Sequence, residues 1–393
     1  MGTPADEKEK ENAQEEQKMT KQEFLDRLEA GLAGTGDGES VLEFYREMIA
    51  DRMEDGMAEE EAVAQVGTVE EILANCVQSV TVVPRGNGAQ PGEIRRVVIQ
   101  EREFDIQIRP TQEPRYRLEG QDRYHEVSLE DGTLRILRNK EPLPRRLFSG
   151  SSGEMILYLP QGCYESLDIT TASGGMEIAQ SFDFVRVSGA SSDIALSGTF
   201  GGRVDIQTAS GDVGLGGIFG DALRVKTASG DVELNGRFSQ RVQIQTGSGE
   251  ISAKEAGFGS VNLRTASGDI DLYNVLADTL EIHCASGDLE LNRVCGKSLV
   301  LESKSGDMDL VDTLSKGPLH CKTVSGDMDL QRVDGQDMYL ETVSGDISGS
   351  LLHGKHFTTG TVSGDIDVED GTPMGNCRIA TVSGDVQLVI AEE

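Results

Sequence analysis

Leu223-Arg224-Val225-Lys226-Thr227-Ala228-Ser229-Gly230-Asp231-Val232-Glu233-Leu234 is the stretch that decides the fold. Apolar and polar residues alternate on both sides of a tight Thr-Ala-Ser-Gly-Asp link, so two short strands flank a corner. The Ser-Gly-Asp tripeptide, or a close variant, returns with its Ser at 173, 192, 210, 229, 248, 267, 286, 305, 325, 344, 363 and 383. Successive spacings are 18 to 20 residues, and a fixed period of this size specifies a solenoid. The chain therefore reads as mainly β: a parallel β-solenoid, or single-stranded β-helix, of about twelve coils with a period of 19–20 residues, behind a small N-terminal all-α domain. Coils stacked at about 4.8 Å make a rod roughly 50–60 Å long.

Each corner carries a glycine: Gly211, Gly230, Gly249, Gly268, Gly287, Gly306, Gly326, Gly345, Gly364 and Gly384. The expectation is a backbone conformation that a side chain disfavours, with Ser and Asp of the same corner bonding local amides. Leu, Val and Ile of the strands and Thr of the corner fill the interior columns.

The corner acids form the most conspicuous chemical pattern. Asp212, Asp231, Glu250, Asp269, Asp288, Asp307, Asp327, Asp346, Asp365 and Asp385 stack along one edge, and Glu233, Asp271, Glu290, Asp309, Asp329 and Asp367 add a second acid two residues on. Carboxylates about 4.8 Å apart repel by roughly 1 kcal/mol in water. Two readings answer that repulsion. Either each Asp accepts corner amides and is otherwise solvated, or a weakly held cation such as Ca²⁺ sits among Asp269, Asp271, Asp288, Asp307, Asp309, Asp327 and Asp329. The amide reading has precedence, because calcium-binding solenoids carry denser Gly-Asp spacing. No cofactor is called for.

Histidine and cysteine make no common metal shell. His283-Cys284 and His320-Cys321 occupy different columns two coils apart, a separation that also excludes a Cys284–Cys321 disulfide. Cys284 replaces a corner Thr and Cys321 an apolar strand residue, so both read as buried, inert thiols. His353 and His356 are a weaker metal pair still.

The chain has 36 Lys and Arg against 68 Asp and Glu, a net charge of −32, which repels phosphate backbones and excludes nucleic acid as a partner. No signal peptide and no apolar run long enough for a transmembrane segment is read. Six cysteines without a paired spacing suit a reducing compartment, and the expected location is cytoplasmic or peripheral to the envelope.

Residues 1–18 read as a disordered acidic tail. Residues 19–79 read as a helical domain: Thr20 and Glu23 make a capping box ahead of Phe24, Leu25, Leu28 and Leu32, and Ser40 and Glu43 make a second that opens a helix with the apolar face Val41, Phe44, Tyr45, Met48, Ile49 and Met53. A third helix is expected from about Ala58 to Val66, and a fourth from Thr68 carries Ile72, Leu73 and Cys76. Residues 80–162 alternate in β fashion and read as the leading and capping segment of the solenoid, with 163–393 the repeat itself.

The segments "MTKQEFLDRLEAGL", "LEFYREMIADRMEDGMAEEEAV" and "VGTVEEILANC" resemble the HAAS-type helical domain of bacterial membrane-associated signalling proteins. In that family transmembrane helices commonly follow, and here the β repeat follows instead. The repeat, entered through "MILYLPQGCYESLDITTASGG", resembles a bacterial adhesin family, a domain of unknown function built on Ser-Gly-Asp repeats, over residues 94–393.

An enzyme on this fold needs long insertions that build a groove, with aromatic platforms beside paired carboxylates. Here the coils differ by a residue, Trp is absent and aromatics are 5% of the chain. The leading functional reading is a non-enzymatic scaffold or sensor-adaptor, whose helical domain at 19–79 binds a protein partner while the solenoid presents a repetitive surface. The resemblances imply a response to cell-envelope stress. An adhesin binding cations or envelope polymers comes second, and a carbohydrate-active enzyme third. Val386-Gln387-Leu388-Val389-Ile390 reads as an end coil covered only by Ala391-Glu392-Glu393, so a monomer or weak homodimer is expected.

Overall fold

The computed structural model describes residues 19–32, 58–64, 94–120, 125–138, 153–369 and 371–391, with single positions at 42, 46, 49, 53 and 69. The chain divides into two units, one within residues 1–81 and the other within 82–391.

In the first unit the helix Lys21–Leu32 opens on the reciprocal cap that its sequence encodes. The Glu23 carboxylate accepts the Thr20 N–H at 3.1 Å, and Thr20 Oγ1 accepts the Glu23 N–H at 3.3 Å. Phe24, Leu25 and Leu28 bury one face, and a second helix, Glu59–Ala64, buries Ala62 and Val63. Leu42, Ile49 and Val69 are helical and buried as well. The second capping box, Ser40 with Glu43, and the apolar positions Ile72, Leu73 and Cys76 lie outside the described residues.

The second unit is one continuous parallel β-solenoid. Val225, for example, stacks between Ile206 and Ile244, each at 1% exposure or less. Burying such a side chain stabilises by about 1.5–3 kcal/mol, and the gain recurs coil after coil. Phe200, Phe219, Phe238 and Phe258 form an internal ladder with ring centroids 5.0 Å apart, which Ala277 and then Gly296 continue as the column narrows.

Both ends depart from sequence order. At the N-terminal end, Arg96–Gln100 lies between Thr133–Arg138 and Cys163–Thr170, so the first coil of the chain is second in the stack. The coil outside it, Thr133–Arg138 with Glu154–Pro160, is covered in turn by the antiparallel strands His125–Glu130 and Arg117–Glu119. The far end repeats the device. Val386–Ile390 pairs on one side with Ile347–Leu351 and on the other with Ile366–Val368. The last coil of the chain is thus internal, and the end coil is His356–Gly360 with Ile366–Val368. This corrects the expectation that Val386–Ile390 is the open edge. The period shows that coils stack, but not which neighbour each one takes.

A buried lysine holds the crossover that skips a coil position. Lys355 is 5% exposed, donates from Nζ to Gly335 O at 2.9 Å and to Met374 O at 2.8 Å, and pairs with Asp334. His353 Nδ1 meets the other Asp334 oxygen at 2.6 Å. A buried ammonium with these partners is fully compensated, so the skip has one geometry rather than several.

Candidate functional site: two faces of the solenoid

The Ser-Gly-Asp corner is built between coils rather than within one. The corner glycines are not among the residues with positive φ. Their requirement is steric: a Cβ on Gly268 would lie 1.9 Å from the carbonyl oxygen of Gly249 in the preceding coil, and the same contact recurs along the column. The expectation of a glycine-only conformation is therefore corrected to one of close backbone approach. The corner Thr accepts the glycine N–H, as in Gly268 to Thr265 Oγ1 at 2.9 Å, and Cys284 does the same through sulfur for Gly287 at 2.9 Å.

The acid column follows the same rule. Asp288 N donates to Asp269 Oδ1 at 2.9 Å, Asp307 N to Asp288 Oδ1 at 2.9 Å, and Asp327 N to Asp307 Oδ1 at 2.8 Å. Each of these three carboxylates thus bonds the amide of the next coil, not a local one. At the far end the ladder runs from Asp346 to Asp385 and then to Asp365, which independently traces the reordered coils. The second column places Asp271, Glu290, Asp309 and Asp329 side by side. Burial raises the pKa of Asp309, and Asp329, Asp307 and Asp288 raise it further. Burial followed by Asp269 raises Asp271, and Glu250, raised by burial and then by Asp271, hydrogen-bonds that neighbour. Among the described residues, no group of three or more His, Cys, Asp or Glu is arranged to hold a metal ion.

The histidines are dispersed. His283 Nδ1 lies 3.0 Å from Glu302, His320 stacks on Tyr339 at 4.2 Å between ring centroids, and His356 begins the strand of the end coil. Burial pushes the Cys321 and Cys377 thiols up to about 12, so neither is a nucleophile near neutral pH.

The strand before the corner presents a face of different composition. Registered neighbours there are Asp205, Arg224, Gln243, Asn262 and Glu281 in one column, and Gln207, Lys226, Gln245, Arg264 and His283 in the next. Arg203 and Arg241 flank them, two positions before Asp205 and Gln243. Arg224, Lys226, Gln243, Gln245, Asn262 and Arg264 line a shallow depression. Arg224 donates to Gln243 at 3.0 Å and Asn262 to Glu281 at 2.6 Å, whereas Lys226, Arg241 and Arg264 have no ion-pair partner among the described residues. Reading the polar strand positions down successive units, instead of along one unit, is the signal that finds this patch.

Residues 94–273, 220–348 and 319–393 match the Toastrack DUF4097 family, and residues 23–75 match the HAAS domain. No curated protein and no solved structure matches the chain. Among the described residues no helix is long and apolar enough to cross a membrane.

Proposed function

Because the chain belongs to the Toastrack DUF4097 family and carries a HAAS domain ahead of the repeat, we propose that it is a non-catalytic scaffold or sensor-adaptor. The HAAS domain takes a protein partner and the solenoid is the rigid platform. The setting is a bacterial cell-envelope stress response, with the protein cytoplasmic or peripheral to the envelope. The end coil His356–Gly360 with Ile366–Val368 is short and bears Asp365, Asp367 and Glu369, which discourages edge pairing, so the protein is a monomer or a weak homodimer.

Uniformity of the stack is the observation that carries this reading. From Cys163 onward, pairing runs residue for residue between neighbouring coils, and register shifts are confined to short bends such as Phe238/Arg241 and Gly296/Leu299. Among the described residues no insertion rises from the stack to wall a substrate groove, and the acids are engaged in a repeated ladder rather than set apart as a catalytic pair.

Affinity capture from bacterial membrane and soluble fractions tests it, with the full chain as bait and residues 82–393 as control. A specific membrane or regulatory protein retained by the full chain alone is the expected result. Retention of the same material by both baits removes the HAAS domain from partner binding. Envelope polymer held by the solenoid alone supports the adhesive reading instead.

A further inference from the structure

We propose that the face formed by Arg224, Lys226, Arg241 and Arg264, with Gln243, Gln245 and Asn262 between them, binds a short acidic segment of polypeptide. The proposal gives the solenoid its own ligand, and it rests on the scaffold reading only in taking the solenoid as a binding platform.

Charge segregation is the first argument. The exposed positions of the three strands Ala222–Lys226, Arg241–Gln245 and Ser260–Arg264 hold four cations and no acid, in a chain with 68 acids against 36 bases. Of the acids of the same coils, Asp231, Glu250 and Asp269 stand at the corner and Glu233, Glu255 and Asp271 beyond it, while Asp221 directly precedes the strand Ala222–Lys226. Arg224, Lys226, Arg241 and Arg264 are all exposed, and none of the four has an ion-pair partner among the described residues. An unneutralised cationic patch on an anionic protein focuses anionic ligands onto one place, because the rest of the surface repels them.

The length of the patch selects the class of anion. Asp205, paired to Arg203 at 2.7 Å, borders it on one side, and Glu281 and Glu302 continue its columns on the other. A polyanion extending past Arg264 meets like charge at Glu281 and Glu302, so the patch suits a ligand with only a few negative groups on that side. Lys226 and Arg264 are two coils apart, about 10 Å. Acidic residues three apart in an extended peptide span about the same distance. Between the cations, Gln243, Gln245 and Asn262 offer both donors and acceptors, which match the N–H and C=O groups of a peptide and exceed what a phosphate chain, an acceptor only, can use. No aromatic ring lines the depression, so it lacks the stacking surface typical of sugar sites.

The test is fluorescence anisotropy with the full chain and a fluorescein-labelled nonapeptide bearing Glu at every third position, Gly and Ser between. Saturable binding at about 50 mM salt that fades toward about 300 mM is expected, with none for the peptide carrying Gln in place of Glu. K226E/R264E weakens binding at least about tenfold, while K322E/R378E, the same change in net charge on the same sheet but outside the patch, leaves it within about twofold. No saturable binding, or equal weakening by both double variants, overturns the site. Tighter binding of a trigalacturonate or a short polyphosphate in competition overturns the peptide assignment. None of these outcomes depends on whether the HAAS domain captures a partner.

Discussion

At the corners from Gly211 to Gly384 the glycine is not in the left-handed region, whereas six residues beyond each corner glycine from Gly211 to Gly326 the chain turns through a residue that is. Glu255, Asn274, Arg293, Asp312 and Arg332 sit at φ between 48° and 58°, and Gly217 and Gly236 occupy the same column at larger positive φ. The first corner is glycine from Gly211 to Gly384, with the small Ser192 before it in the same column, because a neighbouring coil occupies the space of a larger side chain. The second holds several types at a modest conformational cost: Glu255 is exposed, Arg293 lies over the Tyr273 ring, and Arg332 pairs with Asp312 at 2.9 Å. A structural repeat becomes a sequence repeat only where contact, rather than conformation, excludes alternatives.

The largest test of that contrast is Gly268→Val. The added Cβ meets the Gly249 carbonyl at 1.9 Å, a backbone atom held by the ladder and unable to swing aside. A loss of about 3 kcal/mol or more is expected in denaturant unfolding, at the upper end of overpacking effects. An unchanged midpoint breaks the steric account of the first corner.

Next comes Thr265→Val, which keeps the shape and removes the oxygen that accepts the Gly268 N–H at 2.9 Å in a buried setting. An unsatisfied buried N–H costs about 1–3 kcal/mol. Thr265→Cys is expected to cost less, since Cys284 already fills this role through sulfur. Equal losses for the two substitutions show that packing, not the acceptor, matters at this position.

How much of this was legible follows from the same physics. The columns Leu223, Val225, Val232 and Leu234 were readable because strand alternation and a fixed period leave one solution for the core. Coil order at the two ends was not, since Arg96–Gln100 and Val386–Ile390 carry the same alternation wherever they are inserted. The aromatic ladder from Phe200 to Phe258 was periodic in the sequence yet lies outside the tripeptide that dominated it. Lys226 and Arg264 were visible only as unremarkable polar positions, because a patch belongs to neighbouring coils and not to any one of them.

Smaller effects separate the two acid roles. Asp269 and Asp288 accept amides, whereas Asp309 lies in the second column among like charges. A carboxyl whose pKa is raised by folding binds a proton more readily in the folded state. Its contribution is therefore most favourable below the unfolded value of about 4, and is lost as pH rises through the folded one. The Asp309 contribution should therefore grow as pH falls from neutral toward that unfolded value. Asp309→Asn should stabilise the chain by up to about 1 kcal/mol at pH 7 and remove that growth, as thermal unfolding at the two ends of that range reads out. Destabilisation at pH 7 instead shows that the second column is held by a compensating cation.

The smallest effect sharpens the second corner. Glu255 is exposed at φ 52°, a conformation that costs a residue with a side chain about 1 kcal/mol relative to glycine. Glu255→Gly removes that strain but adds chain entropy to the unfolded state, so the net gain is about 0.5 kcal/mol. The sign carries the information: glycine gains at the second corner, where Gly217 and Gly236 already stand, while any side chain loses at the first. A loss of 1 kcal/mol or more in Glu255→Gly unfolding means that the Glu255 side chain makes a stabilising contact, and the two corners then differ less than their geometry indicates.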